Sequence, residues 1–320
     1  MNGRLPENAT CRMSHMPSSP APSEKRRHKA ARRAGEFPPA PDPLAVPVFD
    51  SHTHLDLTIQ EAGVPGGPSA DPVQALIEAA AKNGVDRLVQ VGVDVDSSQW
   101  GADLADRHDA VLAAVALHPN EAPRLTDLDE ALRRIDDLAA RPRVRGIGET
   151  GMDTFRTGDD GRAAQETSFR AHIAIAKRHG KALIIHDREA HTDVLRILDD
   201  EGAPDTVVMH CFSGDAAFAT ACVRRGFHLS FAGTITFASA GNLREAAAVT
   251  PPELMMVETD APYLTPAPHR GRPNASYLIP LTVRALAAAR GIDTDTLCAT
   301  ISATGDRVFG PWRRPAGPPA

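Results

Sequence analysis

Six side chains able to bind a divalent cation are spread through the chain, each at the end of a short apolar run. They are His52 and His54 in VFDSHTHLD, Glu149 in GIGETGMD, His186 in ALIIHDREAH, His210 in VVMHCFSG and Asp260 in MMVETDAPYL. Four imidazoles and two carboxylates suffice for two divalent ions that share a bridging group, and such a pair can activate water for hydrolysis. Ligands dispersed over a whole chain, always where a strand ends, are what a closed parallel barrel supplies at its carboxyl-terminal rim.

Each residue also has a plainer reading. His52 and His54 are two apart, so on a strand they point the same way and can share one ion; two polar histidines in a loop would show the same spacing. Asp50 shares their parity. Glu149 follows Gly146 and Gly148, whose missing side chains permit close approach of backbone or ligand, and its carboxylate can bridge two cations. His186 and His210 end aliphatic runs, where an imidazole must be satisfied by a carbonyl or a ligand. Two such histidines at equivalent places favour the ligand reading. Cys211 alternates away from His210 and reads as a packing residue. Asp260 can ligate an ion and accept a proton from water; Glu258 shares its parity as a supporting group. His118, in ALHPN, ends the third strand and faces the same mouth, where it could hold a substrate phosphate, as could Arg188 just after His186. His172, His179 and His191 fall on helical stretches and read as surface residues.

The elements that must carry these side chains alternate along the chain. Apolar runs of four to eight residues (VPVFDSH, DRLVQVGVD, VLAAVALHP, VRGIGET, KALIIHD, DTVVMHC, FHLSFAG and LMMVETD) are separated by amphipathic stretches. These include 72–83, 97–107 capped by Ser97, 127–140, 163–179, 189–201, 216–225 and 243–249. Two helices, 279–290 and 294–308, close the chain. Eight strand–helix units imply a TIM (β/α)8 barrel with the metal site at the C-terminal face of the strands. The expected domain is 45–312, between a basic, Pro-rich, disordered leader (1–44) and a disordered tail (313–320).

The chain has 320 residues, is 42% hydrophobic and carries a net charge of −6. Residues 1–44 hold eight Lys or Arg and four acids, so the body alone has a net charge of −10. An acidic body argues against broad nucleic-acid affinity resting on net charge, but not against a phosphate substrate held by metal ions. No run approaches the roughly 18 apolar residues of a membrane span, and the leader lacks a signal-peptide core. The expectation is a cytoplasmic protein with no membrane association; a monomer is compatible with the sequence, which does not set the oligomeric state. Four cysteines without CxxC spacing read as buried thiols.

Taken together, FDSHTHLD, ALHPN, GIGETGMD, IIHDREAH, HCFSG and VETDAPYLTP resemble the TatD-type metal-dependent hydrolases of the amidohydrolase-like barrel superfamily. The resemblance runs from about Val48 to Phe309. It implies a two-metal site with His52, His54, Glu149, His186, His210 and Asp260 as ligands, and hydrolysis of phosphodiester bonds in DNA as a 3′→5′ exonuclease. Two places depart from the family pattern: Thr154-Phe155 stands where a Tyr pair is usual, and Asn274-Ala275-Ser276 where Asn-Glu-Pro is common. Both are expected in loops that flank the substrate. Glu149 would bridge the ions, Asp260 would orient and deprotonate the water, and Zn²⁺, Mn²⁺, Fe²⁺ or Mg²⁺ suits the ligand set. The alternative chemistry on the same site is cleavage of an ester or amide, such as a lactone or an aminoacyl-tRNA ester. A non-enzymatic binding scaffold would gain nothing from six desolvated ligands.

Overall fold

The computed structural model describes residues 36–312. Eight parallel strands form one sheet in sequence order: β1 (Val48–Thr53), β2 (Val85–Val91), β3 (Val111–Val115), β4 (Val144–Asp153), β5 (Ala182–Arg188), β6 (Val207–Met209), β7 (His228–Phe231) and β8 (Met255–Val257). The ladder ends at β8, and the cylinder is closed against β1 by the residues just beyond that strand. Asp260 N–H donates to the His52 carbonyl (2.9 Å), His54 N–H to the Ala261 carbonyl (3.0 Å), and Thr259 N–H to Asp50 Oδ1 (2.9 Å). The fold is the expected (β/α)8 barrel.

Ten α-helices accompany the strands among the described residues: α1 (Leu55–Ala62), α2 (Pro72–Lys82), α3 (Val95–Ala105), α4 (Leu128–Ala139), α5 (Asp159–His179), α6 (His191–Glu201), α7 (Ala216–Arg224), α8 (Gly241–Val249), α9 (Ile279–Arg290) and α10 (Thr294–Phe309). The strands are Val-, Ile- and Leu-rich because both faces are covered, by helices outside and by packed side chains inside. β3 illustrates this, with all five residues buried. None of these helices is long and apolar enough to cross a membrane.

Several expectations need correction. Ser97 does not cap α3. Asp94 does, accepting from Ser97 N–H (2.8 Å), while Ser97 is the third helical residue and its hydroxyl accepts from Asp94 N–H, a capping box one turn earlier than expected. β4 runs on to Asp153, past the Glu149 where the apolar pattern stops. His172 is fully buried rather than on the surface. Its Nδ1–H donates to the Ser168 carbonyl (2.7 Å), and its Nε2 accepts from Leu117 N–H (3.1 Å).

Residues 36–44, assigned to the leader by their Pro-rich composition, lie against the barrel. Leu44 is buried, Phe37 packs on the core, and Tyr277 Oη donates to the Pro38 carbonyl (2.5 Å). The Arg272 guanidinium donates to the Glu36 and Phe37 carbonyls, and Arg284 to those of Asp42 and Pro43. Proline-rich chain leaves its carbonyls free, and three buried or rim donors use them. The expectations for 1–35 and 313–320 fall outside the described residues.

Candidate metal centre

The six expected ligands, separated by more than 200 residues in sequence, meet at the carboxyl-terminal mouth of the barrel. One group comprises His52, His54 and Asp260: the two Nε2 atoms are 3.3 Å apart, and Asp260 Oδ1 lies 3.4 Å from His54 Nε2 and 4.0 Å from His52 Nε2. Glu149 Oε2 faces this group, 3.5 Å from His52 Nε2 and 3.9 Å from His54 Nε2. Glu149 Oε1 faces the other way, 2.5 Å from His186 Nδ1, 3.3 Å from His210 Nε2 and 3.4 Å from His118 Nε2. One carboxylate thus spans two clusters of nitrogen and oxygen donors.

The donor atoms fit a cation. Ligands about 2.1 Å from a tetrahedral ion stand about 3.4 Å from one another, the range that separates these atoms. In the bare protein two imidazole nitrogens at 3.3 Å gain at most one hydrogen bond between them. Such an arrangement costs free energy unless something sits between the donors.

Hydrogen bonds on the far sides of the rings separate two kinds of histidine. His54 Nδ1–H donates to the Val91 carbonyl (2.9 Å), which leaves the Nε2 lone pair directed into the cluster. His118 is the reverse: its Nδ1 accepts from Asn120 N–H (3.0 Å), so in the neutral ring Nε2 carries the hydrogen. Burial lowers the His118 pKa and keeps the ring neutral, although Glu149 opposes this. His54 therefore presents a ligand atom to the cluster, and His118 presents a donor.

Charge in the cluster is strongly perturbed. Burial would depress His54, but the Asp260 hydrogen bond and charge outweigh it and raise the pKa to about 9. Burial likewise opposes the charging of His186, while Asp153 and Glu149 lift it to about 9. His210 is raised by Glu258 and Glu149 against burial. His52 is lowered, by burial and then by the charge of His210. Burial would raise Glu149, yet the surrounding imidazoles, His118 and His210 foremost, hold it well below the usual carboxylate range. Without cations, protons balance the carboxylates.

Further side chains belong to the site. Asp153 was missed: its Oδ2 lies 3.2 Å from His186 Nε2 and accepts from Asn120 Nδ2 (2.9 Å). It is four residues after Glu149 on one strand, so period-2 alternation gives it the same face. Glu258, fully buried, lies with Oε1 2.9 Å from His210 Nδ1, although the two are not aligned for a hydrogen bond. Cys211 is not turned away. β6 ends at Met209 and Cys211 has φ 45°, so strand parity no longer applies, and its sulfur groups with His210 and Glu258. Burial raises its pKa well above that of an ordinary thiol and holds it protonated. Arg188 sits two residues beyond His186 with its guanidinium over the Phe155 ring (4.1 Å), at the rim rather than among the ligands.

The glycines before Glu149 serve the barrel rather than a ligand. A Cβ at Gly148 would lie 2.4 Å from Ile184 Cβ, so Gly148 lets β4 approach β5 and brings Glu149 beside His186. Asn274, Ala275 and Ser276, expected to flank the substrate, are buried instead; Asn274 Nδ2 donates to the Thr259 (3.0 Å) and Tyr263 (2.6 Å) carbonyls behind Asp260.

The family model described as TatD related DNase matches residues 49–310. The chain belongs to the TatD family. A relative from Mycobacterium tuberculosis, named an uncharacterized metal-dependent hydrolase TatD, is 46% identical over 272 residues, 83% of this chain and all of that protein. The 3′-5′ ssDNA/RNA exonuclease TatD of Citrobacter rodentium is 33% identical over 249 residues, 75% of this chain and 91% of that one. The solved structure of YjjV, a TatD homolog from Escherichia coli K12, superposes with a TM-score of 0.74 at 25% identity, covering 82% of this chain and 97% of that one. As a TatD-family member the protein is a metal-dependent hydrolase, and the donor groups at the mouth are its candidate metal-binding residues.

Proposed function

We propose that this TatD-family hydrolase cleaves phosphodiester bonds in DNA, in the 3′→5′ direction, with two divalent cations at the barrel mouth. The observation that supports it most is Glu149, whose two oxygens face separate donor clusters. His52, His54 and Asp260 would hold one ion, His186 and His210 the other, and Glu149 both. When bound, Zn²⁺, Mn²⁺ or Mg²⁺ makes water acidic enough to attack near neutral pH and offsets charge on phosphoryl oxygens.

The chain's own side chains do the rest. Asp260 Oδ1 would take the proton of the attacking water and return it to the 3′-oxygen that departs as the P–O bond breaks. His118 Nε2–H, oriented by the Asn120 amide, donates to a phosphoryl oxygen. Arg188, at the rim, adds positive charge next to the phosphate chain. Asp153 orients the His186 ring through a hydrogen bond, and the Glu258 carboxylate sets its negative charge against His210. The named activity of the Citrobacter rodentium relative supports the same substrate class.

The test is metal analysis of the purified full chain followed by assays on 3′- and 5′-labelled single-stranded DNA, with a panel of lactones, amides and aminoacyl esters beside it. Release of 3′-terminal nucleotides, abolished by chelation and restored by Mn²⁺ or Mg²⁺, is expected. Turnover of a lactone or amide without any phosphodiester cleavage by the metal-loaded protein would overturn the proposal in favour of carbon-ester or amide chemistry.

A further inference from the structure

We infer that Phe155 and Arg188 form a platform on which a nucleobase of the substrate strand stacks, so that the enzyme takes single-stranded nucleic acid by its bases as well as by its phosphates. The inference rests on the phosphodiesterase reading and names how that substrate is held.

Phe155 is 58% exposed, and only it and Val249 are exposed large hydrophobics among the described residues. A lone surface apolar residue needs no explanation; its setting here does. The Arg188 guanidinium covers one face of the ring at 4.1 Å, which leaves the opposite face and the edge to carry the exposure. No carboxylate among the described residues pairs with Arg188, although Asp153 faces it across the β4–β5 register and Asp187 and Glu189 flank it in the chain. Its N–H donors therefore remain available to a phosphate.

The platform is also fixed in place. Arg188 pairs with Asp153 in the β4–β5 register, as His186 pairs with Gly151. It thus stands two residues, about 7 Å of strand rise, beyond the ligand His186. The turn carrying Phe155 is anchored on both sides: Thr154 Oγ1 donates to the Glu189 carbonyl (2.7 Å), and Arg156 N–H donates to Asp153 Oδ1 (2.8 Å). An aromatic face beside a guanidinium that no described carboxylate pairs, held at the edge of a phosphate-cleaving site, matches what single-stranded nucleic acids stack upon. Any base would do, because the platform offers a π-face and no hydrogen-bond pattern; the same chemistry accepts DNA or RNA.

The experiment compares the full-length, Mn²⁺-loaded wild type with Phe155→Ala, Phe155→Trp and Arg188→Lys on two oligonucleotides, one normal and one abasic at its 3′-terminal residues. The preference for the base-bearing strand, read as the ratio of kcat/KM values, is expected to fall about fivefold to 150-fold in Phe155→Ala and to recover in Phe155→Trp. Arg188→Lys keeps the charge and loses the planar stack, so part of that preference goes with it. A separate arm measures quenching of 2-aminopurine in a cleavage-resistant phosphorothioate strand, which the wild type should produce and Phe155→Ala should lose. Equal losses on both strands, or none, overturn the platform. If the wild type cleaves neither strand, the phosphodiesterase reading is what fails; the quenching arm then decides the platform alone, supporting it if Phe155→Ala abolishes a wild-type signal and overturning it if the wild type gives none.

Discussion

Protonation of His172 is expected to unlatch helix α5 from the segment just after β3, at a cost set by the shift of its pKa. The ring is fully buried, its Nδ1–H donates to Ser168, and its Nε2 lone pair accepts Leu117 N–H. A second proton would sit on Nε2 and face another donor. Burial, against the Ser168 hydrogen bond, lowers its pKa from 6.5 to about 4. The unfolded chain takes up this proton below about 6.5, while the folded protein resists it down to about 4. His172 therefore contributes fully above pH 6.5, and stability falls as the pH drops between those values. The whole gap corresponds to about 3 kcal/mol, of which about 2 kcal/mol is lost by pH 5. Urea unfolding of the chelated protein at pH 7.5 and 5.0 measures it, with His172→Gln as the comparison, since an amide can serve both hydrogen bonds without titrating. The difference in stability between the two pH values should shrink by about 2 kcal/mol in the variant. Equal pH dependence in both proteins would refute the reasoning.

Removing His186 or Asp260 as Ala should abolish hydrolysis while circular dichroism stays native, because only side chains leave and the backbone bonds at the mouth persist; full activity in either variant would contradict the assignment. Loading the chelated protein with Zn²⁺ or Mn²⁺ near pH 7.5 should release protons, since His54 and His186 are held charged with pKa values of about 9 in the bare site; calorimetry in buffers of different ionisation enthalpy counts them, and zero release would show that the metal displaces none. Gly148→Ala should destabilise the protein by about 1–3 kcal/mol through overpacking against Ile184 and lower activity by displacing Glu149; urea unfolding with a parallel rate measurement checks both. A chain starting at residue 45 should melt below one starting at 36, because it forfeits the buried Leu44, worth about 2 kcal/mol, and the carbonyls held by Tyr277, Arg272 and Arg284; equal melting temperatures would make that segment passive.

Much of the barrel was legible because parallel strands buried on both faces must be runs of Val, Ile and Leu, and helices between them must show an apolar stripe. The ligands were legible for a related reason: a His after Ala-Leu-Ile-Ile or Val-Val-Met is costly unless it does something. Resolution was lost where a rule of alternation stopped applying. Cys211 was placed on the wrong side because its backbone enters the left-handed region one residue past His210. Asp153 was overlooked because β4 continues through Gly-Met, which reads as a turn in sequence and is extended in space. His172 lies on a helix with a buried face that polar residues interrupt, so its partner, a main-chain amide at Leu117, left no mark in its own neighbourhood. The roles of His118 and His54 differ only in which ring nitrogen is already engaged, and that depends on carbonyls and amides that no side-chain pattern encodes.

Where the eighth strand stops short, the ring of the barrel is fastened by the main chain of the same residues that carry the donors: the His52 carbonyl takes the Asp260 amide, and His54 meets Ala261. The clasp of the cylinder and its reactive point are thus one piece of polypeptide. A cation gripped between the histidines of the first strand and Asp260 would tie both ends of the wall together, so occupancy and mechanical closure should rise and fall in concert. Evolution cannot easily retune one without loosening the other.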